Sequence, residues 1–147
     1  MVSRGRIADF WFRTLSRSHA LLLKLTRWRV ATGSFHMPVV EVRTIGRRSG
    51  RPRLVTLSAA VIEGDRVVLV ASKGGDDRDP YWYRNLVANP HIELTLRGST
   101  RSMVARTADA AERAELWPKV VAANPAYASY QRRTRREIPV IICEPLT

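Results

Sequence analysis

From Val39 onward, apolar runs of five to nine residues alternate with turns carrying Gly, Asn, Pro or Asp, and this spacing confines the chain to a mostly antiparallel β architecture. Residues 39–45 alternate as a strand. Residues 54–62 form a second strand that pairs with 66–71 through the hairpin Glu63-Gly64-Asp65. Residues 92–96 and 102–106 form another hairpin across Arg97-Gly98-Ser99, and 138–144 are a final apolar strand. Between them, Asp79 as N-cap and Pro80 at the first helical position open a helix that runs to about Ala88, where Asn89-Pro90 stops it. Asp109, with Glu112 three residues on, opens a helix to about Ala123, and a short tyrosine-bearing helix follows Pro125. Five or six strands with few helices predict an α+β chain built on a small closed barrel, since closure removes exposed edges.

The first 33 residues differ in character and form a separate segment, leaving 34–147 as the barrel domain. Between Arg4 and Arg29 lie seven basic residues and one acid, interleaved with Phe10, Trp11, Phe12 and a run of leucines. At helical spacing most of the charges share one arc, so residues 4–30 are predicted to be a basic amphipathic helix. It either lies on an anionic bilayer or packs on its own domain or a second subunit. Its longest apolar run, Ala20 to Leu23, is too short for a membrane span or a secretory signal. The expected location is therefore cytoplasmic, with a peripheral membrane contact and a homodimer both left open.

A formal net charge of +12 calls for an anionic partner, which could be nucleic acid, a membrane surface or a polyanionic small molecule. Because 22 of the 25 basic residues are arginine, most of the excess reads as a compositional background. One cysteine, Cys143, excludes a disulfide scaffold. His19, His36 and His91 have no metal-ligand spacing, so no metal site and no Ser-His-Asp triad are expected.

Four constellations could carry chemistry. The turn Gly46-Arg47-Arg48-Ser49-Gly50-Arg51-Pro52-Arg53 offers guanidinium groups and backbone amides to one anion, or is a solvated hairpin turn. Ala71-Ser72-Lys73-Gly74-Gly75 ends a strand with one of three lysines and two glycines that allow close backbone approach. Tyr81-Trp82-Tyr83 with Asn85 opens a helix. Tyr127 and Tyr130, three apart, share a helical face and are either core or paired phenols at a pocket rim.

Together these stretches resemble the deazaflavin-dependent nitroreductase family of actinobacteria, split β-barrel proteins that use coenzyme F420. The similarity runs through residues 44–53, 70–75, 80–90, 112–118 and 138–145. It implies that Arg47, Arg48, Ser49 and Arg53, with the rest of the turn (Gly50, Arg51, Pro52) and Lys73, grip the phosphate and oligoglutamate tail of F420. Backbone at Ala71, Ser72, Lys73 and Gly74, with Trp82 and Asn85, would hold the deazaflavin end. The resemblance makes Tyr127 the proton donor or orienter over the acceptor and Tyr130 its support. The implied activity is hydride transfer from reduced F420 to a quinone, a nitroaromatic or a conjugated enone. An FMN-linked reductase on the same barrel is the alternative, and a nucleic-acid-binding module is disfavoured. Asn124, Ser58 and Ala59 stand where the nitroimidazole-activating member has tyrosines. The resemblance therefore implies a roomier or more polar pocket and does not extend to nitroimidazole activation.

Overall fold

The computed structural model describes residues 37–146. The predicted N-terminal helix over residues 4–30 and the boundary at residue 33 lie outside the described residues. The elements in chain order are β1 (Val39–Ile45), β2 (Pro52–Ser58), β3 (Val61–Glu63), β4 (Arg66–Val70), a 3-10 turn (Lys73–Gly75), α1 (Tyr81–Ala88), β5 (His91–Leu96), β6 (Ser99–Thr107), α2 (Ala110–Ala123), α3 (Ala126–Arg133) and β7 (Val140–Pro145). Among the described residues no helix is long and apolar enough to cross a membrane.

All seven strands pair antiparallel in the order β2-β1-β5-β6-β7-β4-β3. The stretch expected as one strand over 54–62 instead turns a corner at Ala59-Ala60. The Ala59 amide still donates to Pro38 on the β1 side (2.8 Å), whereas the Ala60 amide donates to Val68 of β4 (2.9 Å). One bent strand thus joins the two ends of the ladder and curls the sheet into a split barrel. Only small side chains suit such a corner, and both alanines are buried. The hairpin between β5 and β6 is tighter than expected. Arg97 and Gly98 both take positive φ, at 51° and 80°, which makes a two-residue turn and lets β6 begin at Ser99.

The strands β4 and β7 are buried on both faces. Val67, Leu69, Ile141 and Cys143 point into the barrel with Val40, Val42, Leu94 and Met103. On the opposite face, Val68, Val70, Val140 and Ile142 pack against Leu116 and Val120 of α2 and Tyr127 of α3. Each such aliphatic side chain contributes roughly 1.5–3 kcal/mol when fully buried. The helix α2 starts as expected: the Asp109 carboxylate accepts from the Glu112 amide and Glu112 returns the bond to the Asp109 amide.

The start of α1 differs from the expectation. Pro80, not Asp79, is the N-cap residue, with extended backbone at φ −66° and ψ 152°. The Asp79 carboxylate is taken instead by the Arg136 guanidinium at 3.1 Å, a charged partner that a neutral helix amide does not match.

Candidate functional site

The basic turn between β1 and β2 is a built loop. The Gly46 amide donates to Arg51 O and the Gly50 amide to Gly46 O, both at 2.8 Å. The Ser49 hydroxyl folds back to accept from the Arg51 amide (3.2 Å) and, at the limit of bonding distance, from Arg53 Nη2 (3.5 Å). A Cβ at Gly46 would stand 2.5 Å from Ser49 Oγ and 3.3 Å from Arg51 O, so a larger residue there would displace the Ser49 hydroxyl from its bonds within the turn.

A buried side chain braces this turn from α1. Asn85 accepts from the Arg47 amide at 3.1 Å and donates to Thr44 Oγ1 at 3.4 Å, so both ends of its carboxamide are engaged within the protein. The guanidinium groups of Arg47, Arg48, Arg51 and Arg53 are left exposed on a fixed backbone. Among the described residues no carboxylate pairs with any of them or with Lys73, whereas Arg43, Arg66, Arg78, Arg101, Arg106, Arg113 and Arg136 are all ion-paired.

After β4 the backbone enters the left-handed region at three successive residues: Lys73 (φ 45°), Gly74 (63°) and Gly75 (86°). A lysine there is strained, at a cost of order 1–3 kcal/mol, and such strain persists only where neighbours hold it. The Gly75 and Asp76 amides are used inside the turn, donating to Ser72 O (2.9 Å) and Lys73 O (3.1 Å), and the Lys73 ammonium is exposed beside it. The neighbours are Arg136 and α3. Arg136 donates to Ala71 O, Ser72 O, Asp76 O and the Asp79 carboxylate at 2.7–3.2 Å. Thr134 Oγ1 donates to Asp77 at 2.8 Å. Residues 71–79 are thus clamped to the segment that leaves α3.

Tyr127 and Tyr130 meet edge to face, with ring centroids 6.1 Å apart. Tyr127 is buried in the second core cluster, and burial, followed by the neighbouring Tyr130, pushes its phenol above the ordinary tyrosine range. Tyr130 is half-buried, with the Arg133 guanidinium 5.7 Å over its ring, and its backbone backs the Lys73 turn. On α1, Trp82 packs on the barrel core, while Tyr83 ties the helix to β6 through a 2.9 Å bond to Thr107. Tyr81 is exposed. Of the pocket positions that depart from the resemblance, Asn124 is the C-cap of α2 and accepts from the Ala126 amide at 3.0 Å, and Ala59 lies in the strand corner.

The expected residues therefore fall into two groups. Asn85 joins α1 to the basic turn, and the Lys73 turn joins the tyrosine helix; the segment 76–85 links the two. Sequence reasoning misses Arg136, Thr134 and the close packing of Gly75, since nothing local marks an arginine between a helix and a strand as the clamp of a loop 60 residues away. Cys143 is buried, and its thiol is pushed up to about 12 by desolvation, so it is no nucleophile. Among the described residues no cluster of His, Cys, Asp and Glu could hold a metal.

Residues 15–145 match the family model described as F420H(2)-dependent quinone reductase. The chain belongs to this family. An F420H(2)-dependent quinone reductase of Mycobacterium tuberculosis (strain ATCC 25618 / H37Rv) is 38% identical over 109 residues, covering 71% of this chain and 72% of the relative. A solved F420-H2 dependent reductase, FDR-A, is 41% identical with a TM-score of 0.67, over 73% of this chain and 94% of that one. A further solved structure, described as a domain-swapped dimer, is 34% identical at the same TM-score of 0.67 and spans 88% of this chain and all of that one. The split-barrel fold and the expectation of a deazaflavin-dependent reductase agree with this membership.

Proposed function

We propose that this chain is an F420H2-dependent reductase that delivers a hydride to a quinone, with nitroaromatics and conjugated enones as further acceptors. The observation that carries the reading is the set of exposed cations, Arg47, Arg48, Arg51, Arg53 and Lys73, held on braced turns with no carboxylate partner among the described residues. A cofactor bearing a phosphate and several carboxylates fits that donor set; flavin mononucleotide, with one phosphate, would leave most of it unused.

Bound there, reduced F420 supplies two electrons as a hydride. The protein's part is to bind, orient and protonate. The basic turn and Lys73 hold the anionic arm. Backbone at Ala71 to Gly74 and the Trp82 ring flank the deazaflavin end, with Asn85 fixing the turn that positions them. Tyr127 is the proton donor or orienter over the acceptor: a phenol is protonated at neutral pH, and because burial disfavours its phenolate the hydroxyl serves first as a hydrogen-bond donor to the acceptor oxygen, any proton it gives up being restored from solvent. Tyr130 orients Tyr127. A cytoplasmic enzyme whose residues 4–30 rest on the inner face of the membrane suits a lipid-soluble quinone, and flotation with anionic liposomes before and after their deletion tests that interaction.

Fluorescence titration with F420 and with FMN tests the cofactor. Saturable binding of F420 alone is expected, and Lys73→Ala or Arg53→Ala should weaken it by about 1.5–3 kcal/mol, the worth of one hydrogen bond to a charged group. Binding of FMN instead overturns the assignment. Unchanged turnover of menadione by Tyr127→Phe removes that residue from the proton-donor role.

A further inference from the structure

A second cationic cluster borders the Lys73 turn. Asp77, Arg132, Arg133, Thr134, Arg135 and Arg136 line an open cleft of about 490 Å³. Arg136 is neutralised by Asp79, and Asp77 is the one carboxylate in the lining, its Oδ1 accepting from Thr134. None of the other three arginines pairs with a carboxylate among the described residues. Arg132 donates to the Ser129 hydroxyl (3.1 Å), Arg133 lies over the Tyr130 ring and reaches Gly74 O (3.4 Å), and all three guanidinium-bearing residues are exposed. Arginines in the last turn of α3 complement the helix dipole, a small gain for exposed side chains. That accounts neither for Arg135, beyond the helix end, nor for a concave wall.

We infer that this cleft is a binding site for an extended polyanion, a chain carrying several carboxylates or phosphates. Three bidentate donors around a space too large for one inorganic oxyanion select length and multiple charge over a single group. The Arg133–Gly74 bond sets the cleft beside the Lys73 turn, so one source of such a chain is the distal carboxylates of the cofactor held there. That source rests on the function proposed above. The other source is a separate soluble polyanion.

The test uses the full chain, the triple variant Arg132→Ala/Arg133→Ala/Arg135→Ala, and the matching triple lysine variant. Each is titrated with F420 lacking glutamates and with F420 carrying a long tail, and melted with and without sodium tripolyphosphate. If the tail fills the cleft, the alanine triple loses about tenfold more affinity for the long-tailed form than for the tail-free form, and the lysine triple recovers part of that difference. If a separate polyanion fills it, tripolyphosphate raises the melting temperature of the wild type and not of the alanine triple, whatever the tail. Wild-type behaviour of the alanine triple in both assays overturns the inference. So does a result in which, with flotation on phosphatidylglycerol vesicles run beside the two assays, the alanine triple loses vesicle binding alone, which would make the patch a membrane contact. Failure of the wild type to bind either form of F420 defeats the proposed function instead, and the tripolyphosphate melts still read the cleft. Should the triple not fold, Arg132→Ala/Arg135→Ala keeps both Arg133 interactions and must show the same selectivity at reduced size.

Discussion

Gly75 packs directly on the backbone of Tyr130: a Cβ at Gly75 would stand 2.7 Å from the Tyr130 carbonyl oxygen and 3.1 Å from its Cα. Because those are backbone atoms, a side chain at 75 has to push the whole tyrosine helix away from the Lys73 turn. Gly74, next to it, has the same left-handed φ but open space around it. Gly74→Ala should therefore cost only the backbone strain, about 1–2 kcal/mol, and Gly75→Ala clearly more. Urea unfolding of the two variants checks this, and equal losses would mean that the close approach carries no stability.

Asn85 is expected to act as a brace. Removing its carboxamide in Asn85→Ala leaves the Arg47 amide and the Thr44 hydroxyl short of a partner, at a cost of about 1–3 kcal/mol in the protein without cofactor. Affinity for F420 should fall with it, as the turn loosens. Full stability combined with weakened binding would show instead that Asn85 touches the cofactor and not the turn.

Arg136 is held to four acceptor atoms that a lysine ammonium cannot span. Both Arg136→Lys and Arg136→Ala should lose at least about 1.5–3 kcal/mol of stability, discounted somewhat for the partly exposed Asp79 partner. The distinguishing readout is limited proteolysis: cleavage within residues 71–79 should rise many-fold in both variants. Protection equal to that of the wild type would show that the loop holds its strained shape without the clamp.

An acid-sensitive ion pair lies away from the site. Arg106 forms a bidentate pair with Glu112 at 2.6 and 2.7 Å, and with the Asp109 amide it holds the Glu112 carboxyl down from 4.5 to about 2. A pKa depressed in the folded state stabilises above the unfolded value and is lost as pH falls through the folded one. The melting-temperature advantage of wild type over Glu112→Gln should hold from pH 7 to about 4.5 and shrink between there and about 2. Salt should shrink it too, because the pair is exposed. A difference independent of pH would assign the effect to the capping bond alone.

What can be read from the sequence is whatever local chemistry decides. The alternation of β1, the Asp109 and Glu112 cap and the helix around Tyr127 and Tyr130 all follow from neighbours a few residues apart. Asp79 departs from its expected role because its partner Arg136 lies 57 residues on, and an ion pair outweighs a capping bond that spacing alone favours. The Ala59-Ala60 corner is hidden for a related reason: two alanines in an apolar run are ordinary, and only the change of partner from β1 to β4 makes them a bend. Resemblance marks Asn85 as a cofactor ligand, while its bonds to Arg47 and Thr44 give it a structural duty that no short-range pattern announces.

The sheet order also governs how the molecule can assemble. The strand β7, last of the seven in chain order, lies between β6 and β4 and pairs with both. Without it the order breaks into two ladders, β2-β1-β5-β6 and β4-β3, with the β7-facing edges of β6 and β4 unpaired. Vectorial synthesis therefore delivers the keystone last, and a chain cut short before Val140 would present two unpaired edges to its neighbours in place of a barrel.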